Sequence, residues 1–321
     1  PNNEDHGSFP ANGADAVRWG LLAMSSGQDV RFNEEKIAQA QQLTNKLWNA
    51  SRLILQRVDA ETRADAEPAT VEDRWILSRL RHATKLIDDA IGEFEFARAA
   101  LSLYEFIFSE LCDWYLELVK PRLYEGDAQT HAFLLHLLRE TVTLAHPLLP
   151  FVTEEIYAHI PGSYGLLAAR LAAAEAGGPD AYAEAAIADL IAAVEAVRGW
   201  RDAADVKWST VLEAKLAAGD LYAQTEAQLL RLGRLQASAN GAAAGASIPV
   251  PGGSIEIFAS DGVDLDAAAR KREDKRNQLE AEIKRAEGKL ANKGFVDKAP
   301  PAVVQAERAK LAALRAELEA L

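Results

Sequence analysis

Apolar residues recur at spacings of three and four in two arms near the C-terminus, on either side of a Gly/Pro segment. The first arm carries Leu279, Ile283, Ala286 and Leu290, and the second carries Val304, Leu311, Leu314, Leu318 and Leu321. Residues 294–301 interrupt the helix between them, because proline lacks a backbone donor and glycine favours helix ends. A seam with this period is buried against a second seam. The pattern therefore predicts an antiparallel coiled-coil hairpin over residues 264–321.

Helical periodicity also dominates residues 14–160. A first helix is predicted over residues 14–25, and a longer one begins at Asn33, a good N-cap that two acids follow. The longer helix places Leu43, Leu47, Ala50 and Ile54 on one face. A later helix places Leu101, Tyr104, Phe108, Leu111, Tyr115 and Leu118 on one stripe. Prolines at 121, 147 and 150 are expected to separate the helices, and the wide apolar faces predict an antiparallel bundle over residues 33–160.

The pattern changes after residue 160. Residues 161–180 are rich in Ala and Gly and are predicted to be a linker. A helix over residues 182–203 follows, and then short alternating apolar and polar runs with Gly/Pro turns, which are typical of strands. The sequence therefore predicts a small α+β subdomain over residues 181–263, and a fold that is mainly α.

Charge is distributed unevenly along the chain. The 321 residues hold 48 acids against 35 lysines and arginines, a net charge of −13, yet residues 268–321 hold 13 basic and nine acidic residues. The candidate polyanion-binding side chains of this segment are Arg270, Lys271, Arg272, Lys275, Arg276, Lys284, Arg285, Lys289 and Lys293. Such a patch binds nucleic acid backbones through counterion release, although the solvated flank of any coiled coil carries similar charges.

The composition excludes several kinds of chemistry. A single cysteine, Cys112, excludes an internal disulfide and favours a reducing, cytoplasmic location. No apolar run approaches the roughly 18–20 residues that span a bilayer, so no membrane partner is expected. The sequence contains neither a Gly-rich phosphate loop nor the paired histidines of a metal site. We therefore expect no catalytic residue, metal site or cofactor in this chain.

Polar side chains stand beside aromatic ones on two predicted helices. Lys46, Asn49 and Leu53 share one face, with Trp48 and Arg52 alongside. On the second helix Glu110, Asp113, Glu117 and Lys120 are predicted to line one face, with Trp114 at its flank. Amides, cations and carboxylates beside flat rings can bind unstacked bases. An ordinary amphipathic bundle with its polar side in solvent has the same pattern, and spacing alone favours that interpretation.

Several strings resemble the C-terminal half of class I aminoacyl-tRNA synthetases of the valine, isoleucine and leucine branch. They are GADAVRWGLL (13–22), NKLWNASR (45–52), DRWILSRL (73–80), CDWYLELVK (112–120) and HPLLPFVTEEIY (146–157). The tail KLANKGFVDKAPPAVVQAERAKL (289–311) is similar to the coiled-coil arm of the valyl-tRNA synthetase family. Together these strings span nearly the whole chain.

The resemblance implies a function for each segment. Residues 1–32 would include the stem-contact segment, residues 33–160 the anticodon-binding domain, and residues 264–321 an arm at the outer corner of tRNA(Val). The residues implied at the anticodon are Lys46, Asn49 and Glu117, with Arg52, Asp113 and Trp114 as weaker candidates. Members of the family usually carry an aromatic residue where this chain has Leu53, so that stacking contact is expected to be weaker here.

The resemblance also implies what this chain lacks. The ATP-binding signatures of the catalytic domain, which would use ATP and Mg²⁺, and the editing domain would precede residue 13, and neither is present. The parent enzyme, expected to be a cytoplasmic monomer, would ligate valine to tRNA(Val), whereas this chain alone is expected to be inactive. Two alternatives remain open: a free-standing tRNA-binding paralogue without ligase activity, and a coiled-coil scaffold for protein interaction.

Overall fold

The computed structural model describes residues 12–24, 33–64, 67–165, 178–238, 244–258, 265–292, 294–295 and 299–319. The chain divides into two compact units, residues 1–184 and residues 185–321. No helix of the described residues is both long and apolar enough to cross a membrane.

The first unit is a bundle of helices, as predicted. Its elements are α1 (Ala14–Leu22), α2 (Glu34–Leu55), α3 (Val71–Gly92), α4 (Phe96–Tyr104), a π-helical segment (Glu105–Tyr115), α5 (Leu116–Glu125), α6 (Ala128–Ala145) and α7 (Pro150–Ala158). The predicted start of α2 is confirmed, because the side chain of Asn33 accepts a hydrogen bond from the backbone N–H of Glu35. The predicted apolar face of α2 is buried: Leu43, Leu47, Ala50 and Ile54 are all in the core.

The N-terminal helix α1 packs on α2 and caps α7. Asp15 is buried, and its carboxylate accepts hydrogen bonds from the backbone N–H groups of Phe151 and Val152 at 3.1 and 2.7 Å. These donors lie in the first turn of α7 and have no partner within that helix. Gly20 allows close packing, since a Cβ there would lie 2.8 Å from Cγ1 of Ile37. Residues 136 positions apart in sequence thus fix where α1 sits.

A buried network around Asp73 joins α3 to α5. Asp73 and Thr70 form a capping box at the start of α3. The Asp73 carboxylate also accepts hydrogen bonds from the hydroxyl of Tyr115 at 2.7 Å and from the guanidinium of Arg122 at 2.7 and 3.1 Å. Burial and the neighbouring Asp73 carboxylate raise the pKa of Tyr115 well above its usual range, so the phenol stays protonated as a donor.

The single apolar stripe predicted for residues 101–118 is wrong in part. Leu101 is 44% exposed, and Tyr104 and Phe108 are half-buried, whereas Leu111, Tyr115 and Leu118 are in the core. Leu101 and Tyr104 lie in α4 beside its buried face, which Ala99, Ala100 and Leu103 form. The π-helical segment follows, and its wider turn separates Phe108 from the buried residues Leu111, Tyr115 and Leu118. Pro121 lies inside α5 and does not separate two helices.

The second unit contains a long helix and a four-stranded sheet, which confirms the small α+β part. Its elements up to the sheet's last strand are α8 (Ala181–Ala203, whose first residues belong to the first unit), β1 (Leu212–Ala217), a 3-10 turn (Gly219–Tyr222), α9 (Glu226–Gly233), β2 (Leu235–Ala237), β3 (Ala246–Val250) and β4 (Gly253–Ile257). The strand order is β2-β1-β4-β3, with β1 parallel to β2 and the other pairs antiparallel. Alternate residues of β1 and β4 are buried, which explains the alternating pattern in the sequence.

Arg201 of α8 holds the end of α9 although it is only 2% exposed. Its guanidinium donates to the carbonyl of Gly233 at 3.1 and 3.2 Å and to the carbonyl of Arg234 at 2.9 Å. These carbonyls at the helix C-terminus lack partners within the helix and attract a cation. The buried charge is therefore paired with a helix end.

The C-terminal residues form the predicted antiparallel hairpin, from α10 (Leu265–Ala291) and α11 (Pro301–Glu319). Leu279 and Ala286 of α10 and Val304 and Leu314 of α11 are buried. Ion pairs across the hairpin run in opposite order along the two helices, since Glu287 pairs with Arg315 and Lys289 pairs with Glu307. Each apolar seam is therefore buried in part, whereas Ile283, Leu290, Leu311 and Leu318 are half-buried, and Leu321 lies outside the described residues.

Candidate nucleic-acid interface

Lys46 is the centre of the polar surface that the structure forms between α2 and the π-helical segment. Its ammonium lies 2.5 Å from a carboxylate oxygen of Asp113 and 3.2 Å from the centroid of the Phe108 ring. The Lys46 side chain is 25% exposed and that of Asp113 is 51% exposed. Two residues predicted for the anticodon site are thus in direct contact, and a third residue, Phe108, joins them.

Phe108 is the outer member of a column of three aromatic rings. Its ring is stacked on that of Tyr104, with centroids 4.8 Å apart and planes 11° apart. Tyr104 in turn contacts Trp19 of α1 at 5.9 Å. Trp19 is fully buried, whereas Tyr104 and Phe108 are half-buried. The column therefore runs from the core of the bundle to its surface and ends at the Lys46 ammonium.

The remaining candidates on α2 fall on two sides of the helix. Asn49 is exposed and Leu53 is half-buried, and both continue the side that carries Lys46. Arg52 lies about 120° around the helix from Lys46 at 3.6 residues per turn. It borders an open pocket of about 380 Å³ that is lined by Trp48, Ser51, Arg52, Leu55, Gln56, Ile156 and His159. The structure therefore places Arg52 apart from the Lys46–Asp113 pair.

The predicted acidic face of the second helix is divided between two neighbours. Glu110 binds Arg79 of α3 at 2.7 Å, whereas Asp113 binds Lys46 of α2. Burial raises the pKa of Glu110, and the Arg79 cation opposes that shift. Glu117 of α5 pairs with Lys120 one turn further on. Trp114 at the end of the π-helical segment is half-buried. The π-helical turn explains why Glu110 and Asp113 face different helices.

The basic residues of the hairpin have different surroundings. Lys271 pairs with Asp205, just after α8, and Lys275 lies 3.4 Å from Asp202, in the last turn of α8, so both attach the N-terminal part of α10 to the end of α8. Within the hairpin, Arg276 pairs with Glu280 and Lys289 pairs with Glu307. Arg272 is half-buried, and this burial together with the neighbouring Arg276 cation lowers the pKa of the Arg272 guanidinium. Arg270, Lys284 and Arg285 are exposed. Lys293 lies outside the described residues.

Cys112, next to Asp113, is expected to be unreactive in the folded chain. Burial raises the pKa of its thiol to about 12, so the thiolate is scarce at neutral pH. At pH 8 we expect modification by Ellman's reagent about 1,000-fold slower than for an exposed thiol, because the thiolate is the reacting form. Stopped-flow absorbance measures the rate, with the urea-unfolded chain as control. Equal rates for the folded and unfolded chain would contradict this expectation.

No group of three or more His, Cys, Asp or Glu in the described residues is arranged to hold a metal ion.

Two family models match separate parts of the chain. The model described as the anticodon-binding domain of tRNA ligase matches residues 73–216. The model described as the valyl tRNA synthetase tRNA binding arm matches residues 264–321. The second match covers the basic hairpin, and the first covers α3 through β1, including Asp113.

Curated relatives match over nearly the whole chain. The valine–tRNA ligase of Clostridium acetobutylicum is 34% identical over 328 residues, which cover 96% of this chain and 37% of that protein. Those of Carboxydothermus hydrogenoformans and Geobacter sulfurreducens are 33% and 34% identical and cover 97% and 94% of this chain. The chain spans a little over one third of the length of these relatives, 37% and 36% for the latter two.

Proposed function

The chain belongs to the valyl-tRNA synthetase family as its C-terminal, tRNA-binding part, and we propose that it binds a transfer RNA at two separate places. The bundle recognises the anticodon through Lys46, Asn49 and Glu117, with Asp113, Trp114, Arg52 and Leu53 around them. The hairpin binds the sugar–phosphate backbone through its basic residues. The two contacts have different chemistry, because base edges carry sequence information and phosphates do not.

The observation that carries the proposal is the contrast between the two surfaces. The bundle offers one polar surface built from a cation, a carboxylate and a stacked ring, which suits unstacked bases. The hairpin offers exposed cations at Arg270, Lys284 and Arg285 on a two-helix rod. Residues of both apolar seams are buried within it, and the other described seam residues are half-buried, which favours RNA binding over a coiled-coil scaffold that must present a free seam.

The complete protein, in this proposal, ligates valine to tRNA(Val) with ATP in the cytoplasm and acts as a monomer. The residues described here contribute affinity and selection of the RNA. A free-standing tRNA-binding paralogue would use the same two surfaces without the ligation step.

Removing Lys46 or Asn49 is expected to reduce discrimination between anticodons. We expect Lys46→Ala and Asn49→Ala each to lower the preference for tRNA(Val) over tRNA(Val) with a substituted anticodon by about 5- to 150-fold, the effect of one base contact. Fluorescence-anisotropy titrations with both RNAs at one salt concentration measure the ratio of the two dissociation constants.

Lys36→Ala is the matched control, because Lys36 is also a half-buried lysine of α2 but lies two to three turns away from Lys46. It should leave the ratio unchanged. If tRNA does not bind saturably to the unmodified chain, the proposed function is wrong. If Lys36→Ala and Lys46→Ala change the ratio alike, the assignment of the anticodon surface is wrong.

A further inference from the structure

The π-helical segment brings Phe108 to the surface beside Lys46, where the sequence pattern had placed it in an apolar stripe. One face of its ring is stacked on Tyr104 at 4.8 Å. The other face is covered by the ammonium of Lys46, 3.2 Å from the ring centroid. π-Helical turns inside α-helices occur often at functional sites, which makes the residue that this turn exposes a candidate for binding.

The cover on Phe108 is a single long side chain, and a neighbouring charge holds it. Lys46 is bound by Asp113 at 2.5 Å, and that carboxylate is half exposed to water. A lysine has several rotatable bonds and can leave the ring without any change in the backbone. Exposed ion pairs of this type contribute little free energy, so a ligand can displace this one readily.

The polar side of α2 lacks a ring of its own next to Lys46. Asn49 and Leu53 continue that side, and neither is aromatic. Trp48 lies about 160° from Lys46 around α2 and lines the pocket on the other side. Phe108 is the aromatic residue that contacts Lys46. An unstacked base that binds on the Lys46 side of α2 can therefore stack on the Phe108 ring.

We propose that Phe108 is a stacking platform for an unpaired nucleobase and that Lys46 is its removable cover. When RNA binds, the base takes the place of the ammonium on the ring, and Lys46 turns outward to the RNA. Asp113 positions the cover in the free protein. The inference rests on the proposed function, because it places one base of the bound loop on a residue that the sequence had assigned to the core.

The chemistry of the platform favours a nucleobase over other ligands. A ring that is already stacked on a second ring offers a flat π surface, and base–aromatic stacking tolerates any base. The ammonium that leaves the ring gains a phosphate or a base-edge acceptor in exchange for the ring face. A simple anion would bind Lys46 without using Phe108, so dependence on the ring separates the two cases.

The test uses the full 321-residue chain and a 17-nucleotide RNA hairpin with a seven-nucleotide loop that carries 2-aminopurine at one loop position at a time. Stacking quenches 2-aminopurine fluorescence. We expect quenching at one loop position with the unmodified chain. Phe108→Leu should abolish it and weaken binding by about 5- to 150-fold, whereas Phe108→Trp should retain both.

Tyr124→Leu is the matched control, because Tyr124 is another ring at the surface of the bundle and the guanidinium of Arg57 lies 4.7 Å from its centroid. It should leave quenching and affinity unchanged. Far-UV circular dichroism and thermal melting of Phe108→Leu check that it folds. If that variant does not fold, Phe108→Tyr and Phe108→Trp decide the matter, since a platform tolerates both and loss of quenching in both overturns the proposal.

The cover has its own readout. In the free chain the ε-methylene protons of Lys46 should be shifted upfield by the ring current of Phe108, and the shift should disappear when the RNA hairpin binds. The resonance is assigned with Lys46→Arg. If Phe108→Leu binds the RNA hairpin with unchanged affinity, the platform is overturned and the proposed function stays intact. If the unmodified chain binds neither the RNA hairpin nor tRNA, the proposed function itself is overturned.

Discussion

Replacement of Asp73 by alanine is expected to destabilise the bundle by about 3–5 kcal/mol, well above the effect of losing one ordinary hydrogen bond or one helix cap. The Asp73 carboxylate is almost fully buried, and it accepts hydrogen bonds from Tyr115 and Arg122 while it caps α3. Its removal leaves the buried phenol without its acceptor and takes two hydrogen bonds from the guanidinium, which keeps Glu72 at 3.3 Å. The expected loss is therefore the sum of a buried unsatisfied donor, two charge-assisted hydrogen bonds and the helix cap.

Hydrogen exchange of peptides from α3 and α5 measures this effect in the bundle itself, independently of the second unit. Asp88→Ala, on the exposed side of α3, is the control and should change the free energy of unfolding by no more than about 0.5 kcal/mol. Asp73→Asn should fall between the two, because the amide keeps one acceptor and loses the charge. Similar protection in the Asp73 and Asp88 alanine variants would show that the network contributes little.

Charge reversal on the hairpin is expected to weaken the binding of all tRNAs alike. The variant Arg270→Glu, Lys284→Glu and Arg285→Glu changes three exposed cations that lie on α10. We expect an affinity loss of about 100-fold for tRNA(Val) and for its anticodon-substituted form, with little change in their ratio. The slope of log K against log salt concentration should become shallower by about 3, about one for each phosphate contact removed.

The control for this variant has the same change in net charge on the bundle. Lys85→Glu, Arg98→Glu and Arg63→Glu alter three exposed cations of the first unit. This control should retain most of the affinity and the salt slope. If both triple variants lose affinity equally, net charge governs binding and the hairpin has no special part. If the hairpin variant changes the ratio between the two RNAs, the separation of functions between bundle and hairpin is wrong.

The features of the fold that follow from local patterns were predictable from the sequence. The heptad seam of the hairpin and the N-cap at Asn33 need only neighbours within a few turns, and both are confirmed. The hydrogen bonds of Asp15 to α7 and of Arg201 to α9 join residues distant in sequence. A periodic pattern contains no information about such contacts, so the sequence could not predict them.

The candidate site was predictable only in part, for a related reason. The resemblance indicated Lys46 and Asp113, and the structure brings these two into contact. The anticodon assignments themselves remain predictions. Phe108 was missed because α-helical spacing was assumed through a segment that is π-helical, and the wider turn moves its ring out of the stripe. The contact of its ring with the Lys46 ammonium joins residues 62 positions apart, so only the structure shows it.

The dimensions of α10 have a mechanical consequence for how the hairpin meets its ligand. Its 27 residues form a rod about 40 Å long. Lys271 and Lys275 hold this rod through ion pairs with Asp205 and Asp202 at the end of α8. The length from Lys275 to Ala291 is about 24 Å, so a tilt of about 10° at these lysines moves the tip by about 4 Å. Small adjustments at those lysines can therefore shift the far end by several ångströms, so the hairpin can follow an RNA that flexes without altering its own packing.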